Sequence, residues 1–205
     1  MSSPSKHDLR RAGRERRARR SHEEVERAGL ALASHVDAIA RPSVALYAGI
    51  DGEPPTLPLL TALIARGARV LLPVLRSDMD LEWAPVTSLL ELIRSPYGLL
   101  EPGTPSLGTE GIREAELVLA PGLAVDRRGV RLGQGGGCYD RALTRVSAPV
   151  YVVVFDDEIV EWLPTEPHDR SVNGTLTPAA GLARIDAGAQ AGVKGSDPTS
   201  DTTQS

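Results

Sequence analysis

Short apolar runs alternate with apolar residues at helical spacing along most of this chain, and the alternation predicts its elements. Ser21, with Glu24 three residues later, makes a capping-box pattern, in which each side chain satisfies an unpaired backbone N–H at a helix start. Val25, Leu30, Leu32, Val36 and Ile39 continue as an apolar stripe, so a helix is expected up to the stop at Pro42. Val44 to Tyr47 reads as a short strand. A glycine-rich turn and a helix through Leu57, Leu60 and Ile64 follow, with Gly67 suited to the position just past the helix end. Val70 to Leu72 is the next strand, Trp83 lies in another, and Pro96 to Gly108 reads as an ordered loop. Leu117 to Ala120 resumes the sheet, and Val150 to Phe155 is a continuous apolar run typical of a strand buried on both faces. Strands alternating with helices predict a parallel sheet covered by helices, an α/β class.

Length and composition narrow this picture. A chain of 205 residues can bury a substantial core as one domain with tails. The division expected is an α/β domain over residues 1–185, starting with a basic helix, and a tail at 186–205. There Ala, Gly, Ser, Thr, Asp and Gln run on without hydrophobic anchors, which predicts disorder. Aromatic residues are 3% of the chain, too few for numerous stacking platforms on single-stranded nucleic acid. No apolar run approaches the roughly 18 residues of a membrane span, and no secretory core follows the basic start, so a cytoplasmic protein without a membrane partner is expected.

Charge is more informative than its net value of −4, because residues 6–20 hold eight Lys/Arg against Asp8 and Glu15. Two readings stand. The segment is an arm for a nucleic-acid backbone, or a helix whose arginines mostly face water while one or two reach an anionic small ligand. The acidic remainder of the chain argues against an extended polyanion footprint.

The chemistry concentrates at Arg131 to Arg141, RLGQGGGCYDR, with four glycines in five residues. Glycine lets backbone N–H groups turn inward and approach a bound group, so the run reads either as an anion-binding loop or as a tight turn. Tyr139, Leu143 and Val146 after it suit an amphipathic helix, and strand, glycine loop and helix start make a phosphate-binding arrangement. Neither familiar nucleotide motif applies: no lysine lies near for a P-loop, and Cys138 stands where the third glycine of the dinucleotide fingerprint belongs. Cys138 is the lone cysteine, which excludes an internal disulfide. Nothing in the sequence places a base beside it, so it reads as a small residue in a tight place.

Several segments in order resemble the 5-formyltetrahydrofolate cyclo-ligase family. Arg131 to Asp140 meets that family's R-L-G-x-G-x-G-x-Y-D, and Pro121 to Gly129 is similar to its P-G-x-A-F-D-x-x-G, with Val125 for Phe. Lys6 to Arg10 is similar to K-x-x-L-R, Leu99 to Pro102 to I-x-E-P, and Leu163 to Asp169 to L-P-x-E-x-H-D. The resemblance spans residues 6–178 and implies a three-layer, Rossmann-like open sheet, largely parallel and flanked by helices. It also implies ATP- and Mg-dependent closure of 5-formyltetrahydrofolate to 5,10-methenyltetrahydrofolate through a phosphorylated formyl group, by a ligase of folate and one-carbon metabolism acting as a monomer. The partner expected is a reduced folate and not nucleic acid. The second reading is a folate- or nucleotide-binding module, or a nucleic-acid-binding one that uses the basic arm.

Carried over by position, the resemblance assigns Lys6, Arg10 and Arg131, Leu132, Gly133, Gln134, Gly135, Gly136, Gly137, Cys138 and Tyr139 to ATP, and Asp140 and Asp169 to Mg. Ala48, Glu53 and the loop from Gln134 to Cys138 are assigned to the folate; no side chain is assigned to covalent or acid–base catalysis. Two departures stand out. Cys138 replaces a tyrosine common in the family, and Asn173 and Gly174 replace an acidic pair.

Overall fold

The structure is a computed structural model, and it describes residues 4–50, 52–166 and 169–185. The expected tail at 186–205, and His168 of the L-P-x-E-x-H-D segment, lie outside the described residues.

Helices α1 (Lys6–Ala18), α2 (His22–Ser34) and the single turn α3 (Val36–Ile39) lead to strand β1 (Ser43–Ala45), helix α4 (Leu57–Ala65) and the antiparallel strands β2 (Arg69–Leu75) and β3 (Leu81–Val86). A two-stranded ribbon, β4 (Leu92–Arg94) with β5 (Leu100–Pro102), precedes β6 (Leu117–Pro121). Then come β7 (Ala124–Asp126), β8 (Arg131–Leu132), the short helix α5 (Cys138–Ala142), β9 (Val150–Val153), β10 (Ile159–Val160), β11 (Gly174–Thr177) and β12 (Gly181–Arg184).

The main sheet has the order β12-β11-β9-β6-β1-β2-β3. Its five inner strands pair in parallel, and β3 and β12 close the edges antiparallel. The largely parallel open sheet expected from the sequence is therefore present. Its side chains alternate between two packed faces, as a strand's period of two requires. Val44 and Leu46 join Leu117, Leu119 and Val153 under Leu32, Ile39, Leu59 and Leu63 of the helices. Ala45, Val118, Ala120 and Val152 face the other way, against Trp83, Ile112, Ala142 and Leu143. β9 is buried along its whole length, as its apolar run predicts.

Four local expectations need correction. The helix after Ser21 stops at Ser34, where His35 caps it, and only the turn α3 continues the stripe. Leu30 is 67% exposed, because the contact face is made of Ala28, Gly29 and Leu32. A Cβ on Gly29 would stand 3.2 Å from Pro55, so small residues let α2 come close where a larger stripe would hold it off. The segment Pro96 to Gly108 is not all loop, since β5 lies within it and pairs with β4. The helix after the glycines has five residues and passes into a 3-10 turn, Leu143–Arg145, rather than running on through Val146.

The departure at Asn173-Gly174 has a packing reason. Asn173 brackets the start of β9: its Oδ1 accepts from the Val150 N–H at 2.8 Å, and its own N–H donates to Val150 at 2.7 Å. A Cβ on Gly174 would lie 2.1 Å from the Ala183 carbonyl oxygen and 2.5 Å from the Tyr151 ring, so only glycine fits.

Candidate active site

A cavity of about 570 Å³ opens beyond the carboxyl ends of β1, β2 and β6, lined there by Tyr47, Ala48, Pro73, Leu75, Pro121 and Gly122. β1 leads through α4 to β2 on one side, while β6 flanks it on the other. Such a switch in strand order leaves a crevice where open α/β sheets bind ligands. Every residue singled out from the sequence as a ligand contact lies on this one cavity: Lys6 and Arg10, Ala48 and Glu53, the loop from Arg131 to Tyr139, and Asp140 and Asp169.

Helix α1 reaches the cavity because its basic residues dock it. Ser5 and Asp8 form a reciprocal cap at its start, and Lys6, Arg10, Arg14 and Arg17 follow at the spacing of one helix face. The Lys6 ammonium donates to both Asp169 oxygens, at 2.9 and 2.7 Å, and to Glu166 at 2.9 Å. Burial lowers its pKa, but these carboxylates more than offset that and the net shift is upward. Arg10 Nε donates to the Gly133 carbonyl at 3.0 Å, and Arg14 holds Gln134 through both its side chain and its carbonyl. Arg17 is buried, paired with the fully buried Glu158 at 2.8 and 2.7 Å and donating to Gly122 at 2.5 Å. Arg16 and Arg20 reach Asp157. The expectation that the arginines beyond Arg10 are simply solvated is thus wrong for these four, whose charge engages the body of the chain. Arg11, exposed beside Asp8, does keep to the surface.

The glycine loop has a different approach from the one expected. It follows not β6 directly but the hairpin β7–β8, which with β10 forms a separate small sheet. Asp126 fastens that hairpin from inside: fully buried, it accepts the N–H groups of Arg128 and Val130 and, at 3.0 Å, that of Leu163. One carboxylate therefore ties the glycine loop to the segment that carries Asp169. Gly137 then turns the chain into α5 with φ of 69°, a left-handed conformation that a side chain disfavours.

Two cation–carboxylate contacts set the cavity's electrostatics. Arg131, nearly buried, donates to Asp140 at 2.5 Å and to the Pro121 carbonyl at 2.9 Å, and its guanidinium lies 5.9 Å from the centre of the Tyr139 ring. Asp140 and Asp169 are thus each neutralised by a cation, Arg131 and Lys6 respectively. Among the described residues, no three or more His, Cys, Asp or Glu are gathered as a metal site.

The cavity lining also has an aromatic and acidic part. Tyr139 stacks edge-on against Trp83, with ring centres 6.2 Å apart, and its hydroxyl and that of Tyr47 are buried without a partner among the described residues. Burial pushes both phenol pKa values up. Glu53 accepts the Ile50 N–H at 3.3 Å and contacts Gln134, while burial raises its carboxyl above 4.5. Glu101 is also buried here and accepts the Leu75 N–H at 3.1 Å, which holds the end of β2. Tyr47 and Met79 belong to the wall although no sequence motif singled them out; the Tyr47 signal was only its place at the end of a predicted strand.

Comparison with known proteins shows the family and the fold. Residues 2–178 match the model of the 5-formyltetrahydrofolate cyclo-ligase family. A 5-formyltetrahydrofolate cyclo-ligase of Mycolicibacterium smegmatis is 42% identical over 153 residues, covering 70% of this chain and 77% of the relative. One of Escherichia coli is 33% identical over 143 residues, covering 67% and 78%. Among solved structures, the 5,10-methenyltetrahydrofolate synthetase of Aquifex aeolicus superposes with a TM-score of 0.76 at 27% identity, over 88% of this chain and 92% of that one. The chain belongs to the 5-formyltetrahydrofolate cyclo-ligase family, a family of ligases.

Proposed function

We propose that this chain converts 5-formyltetrahydrofolate to 5,10-methenyltetrahydrofolate and consumes ATP to ADP and phosphate. The observation that carries this reading is a single cavity lined both by cations and glycine backbone and by tyrosines and a carboxylate. The first set suits a polyphosphate, the second a flat ring system with paired N–H donors.

Lys6, Arg10, Arg131 and the glycine loop hold the phosphates. Glu53 accepts from the pterin's amino and ring N–H groups, and the Tyr47 and Tyr139 hydroxyls supply hydrogen-bonding groups that have no partner among the described residues. The donor set also fits Mg²⁺, which favours one or two carboxylates completed by waters and phosphate oxygens, and Asp140 and Asp169 are the two that would hold it. When bound, the ion offsets charge on the phosphate oxygens. In the ligand-free chain Asp140 and Asp169 are held by Arg131 and Lys6, cations that would also face the phosphates.

The reaction asks the protein for positioning more than for covalent help. The formyl oxygen attacks the terminal phosphorus and ADP leaves. The folate's neighbouring secondary amine then attacks the activated carbon, phosphate leaves with the former formyl oxygen, and the amine's proton is lost as the ring closes. Purified protein given 5-formyltetrahydrofolate, ATP and Mg²⁺ is expected to develop the long-wavelength absorbance of the conjugated methenyl product. A flat trace from protein that still binds ATP would reject the assignment.

A further inference from the structure

We infer that Arg141 is a positioning residue for the folate side of the cavity: it joins the β2–β3 turn to the glycine loop and thereby sets where the Met79 side chain stands. The inference rests on the proposed cyclo-ligase reading.

Met79, in the turn between Leu75 and Leu81, lines the cavity and is the one non-glycine residue with positive φ, 65°, among the described residues. That conformation is unfavourable for a long side chain, so it persists where the surroundings impose it. Two arginines one helical turn apart do so. Arg141 Nη2 donates to the Met79 carbonyl at 2.5 Å and to the Gly136 carbonyl at 3.1 Å. Arg145 grips the next residue, Asp80, through two bonds of 3.0 and 2.6 Å. The turn's own bonds, Met79 N–H to Arg76 O and Asp80 N–H to Asp78 Oδ1, fix its shape but not its place over the cavity.

The contact is close on both sides. A Cβ on Gly136 would meet the Met79 methyl at 3.0 Å, and one on Gly137 would meet Arg141 Nη1 at 2.9 Å. The Met79 thioether therefore lies over the glycine loop, where a soft, adaptable group can pack against a ring system. Arg141 does not line the cavity. Its effect passes through the carbonyls of two residues that do line it, Met79 and Gly136.

The test compares wild type with Arg141→Met, Arg141→Lys and Met79→Ala, using calorimetric Kd values for 5-formyltetrahydrofolate and for ATP and hydrogen exchange over residues 76–81. Arg141→Met is expected to weaken folate binding about tenfold, the size of one charge-assisted hydrogen bond, while leaving the ATP Kd within about twofold. Exchange at the turn should rise in the same variant. Lysine, which can reach one carbonyl, should restore part of both, and Met79→Ala should reproduce the folate defect without the faster exchange. Equal losses for folate and ATP, or unchanged folate affinity despite faster exchange, would overturn the inference. Wild-type protein that binds no 5-formyltetrahydrofolate would instead overturn the reading beneath it and the inference with it.

Discussion

Truncating Arg17 to methionine tests whether a buried ion pair docks the helix that brings Lys6 and Arg10 to the cavity. Arg17 is 5% exposed and Glu158 is fully buried, with two hydrogen bonds between them and a third from Arg17 to the Gly122 carbonyl. Glu158 also accepts the Phe155 N–H at 3.0 Å, so it cannot follow a departing partner to solvent without breaking that turn. Removing Arg17 alone strands a buried carboxylate, which costs about 3–5 kcal/mol. Arg16, 3.7 Å from the same carboxylate, offsets part of this, so the lower end is expected. At about 2–4 °C per kcal/mol for a chain of this size, the melting temperature should fall by roughly 6–12 °C. The assay is thermal unfolding followed by circular dichroism, with Arg17→Met, Glu158→Gln and the double variant run together. The double variant should be more stable than Arg17→Met, because it leaves no unpaired buried charge. A melting temperature within about 1 °C of wild type for Arg17→Met, or strictly additive losses in the double variant, would refute the reasoning.

The other predictions concern the cavity itself. Glu53→Gln should stabilise the ligand-free protein while weakening 5-formyltetrahydrofolate. Burial raises the Glu53 carboxyl, so the folded state holds a proton that the unfolded state releases, and stability falls as pH rises from 4.5 through the raised value. Arg17, Tyr47, Tyr139, Glu158 and Gln134 surround this group. Melting curves across pH should show the Gln variant's advantage opening above about 4.5, and a parallel pair of curves would contradict it. Asp140→Ala should abolish turnover, whereas Cys138→Ser should leave kcat within about threefold, since nothing in the sequence assigns the thiol a base; the opposite ranking in steady-state assays would make Cys138 the reactive group. Gly137→Ala places a Cβ at φ of 69° and 2.9 Å from Arg141, and should lower stability by about 1–2 kcal/mol in a denaturant titration.

Much of this site could be read in the chain because its pieces are local. The four glycines and the basic run from Lys6 to Arg20 each occupy a short segment whose chemistry is legible by itself, whereas Asp169 entered only through the family resemblance. Four of the five inner strands, β1, β2, β6 and β9, were equally plain from their apolar runs, whereas β11, buried but reading Gly-Thr-Leu-Thr, was not. What could not be read depends on distance or on smallness. Arg17 and Glu158 lie 141 residues apart, and nothing local distinguishes that arginine from its exposed neighbour Arg11. Leu30 looked like core because the pattern weighs large side chains, while the actual contact is made by Ala28 and Gly29. The β7–β8 hairpin escaped notice because β8 has two residues, too few to show any period, and is fixed instead by the buried carboxylate of Asp126. Met79 was invisible for a further reason: its role comes from a backbone conformation imposed by Arg141 and Arg145.

The most direct test of the account follows one oxygen atom. With the formyl oxygen of the folate labelled by a heavy isotope, single-turnover reaction with ATP and Mg²⁺ should yield methenyl product and ADP in equal amounts. The label should appear in the released phosphate, one atom per molecule. Methenyl product accompanied by unlabelled phosphate would mean that the formyl oxygen is never phosphorylated, and would contradict a cavity built to hold the two substrates against each other.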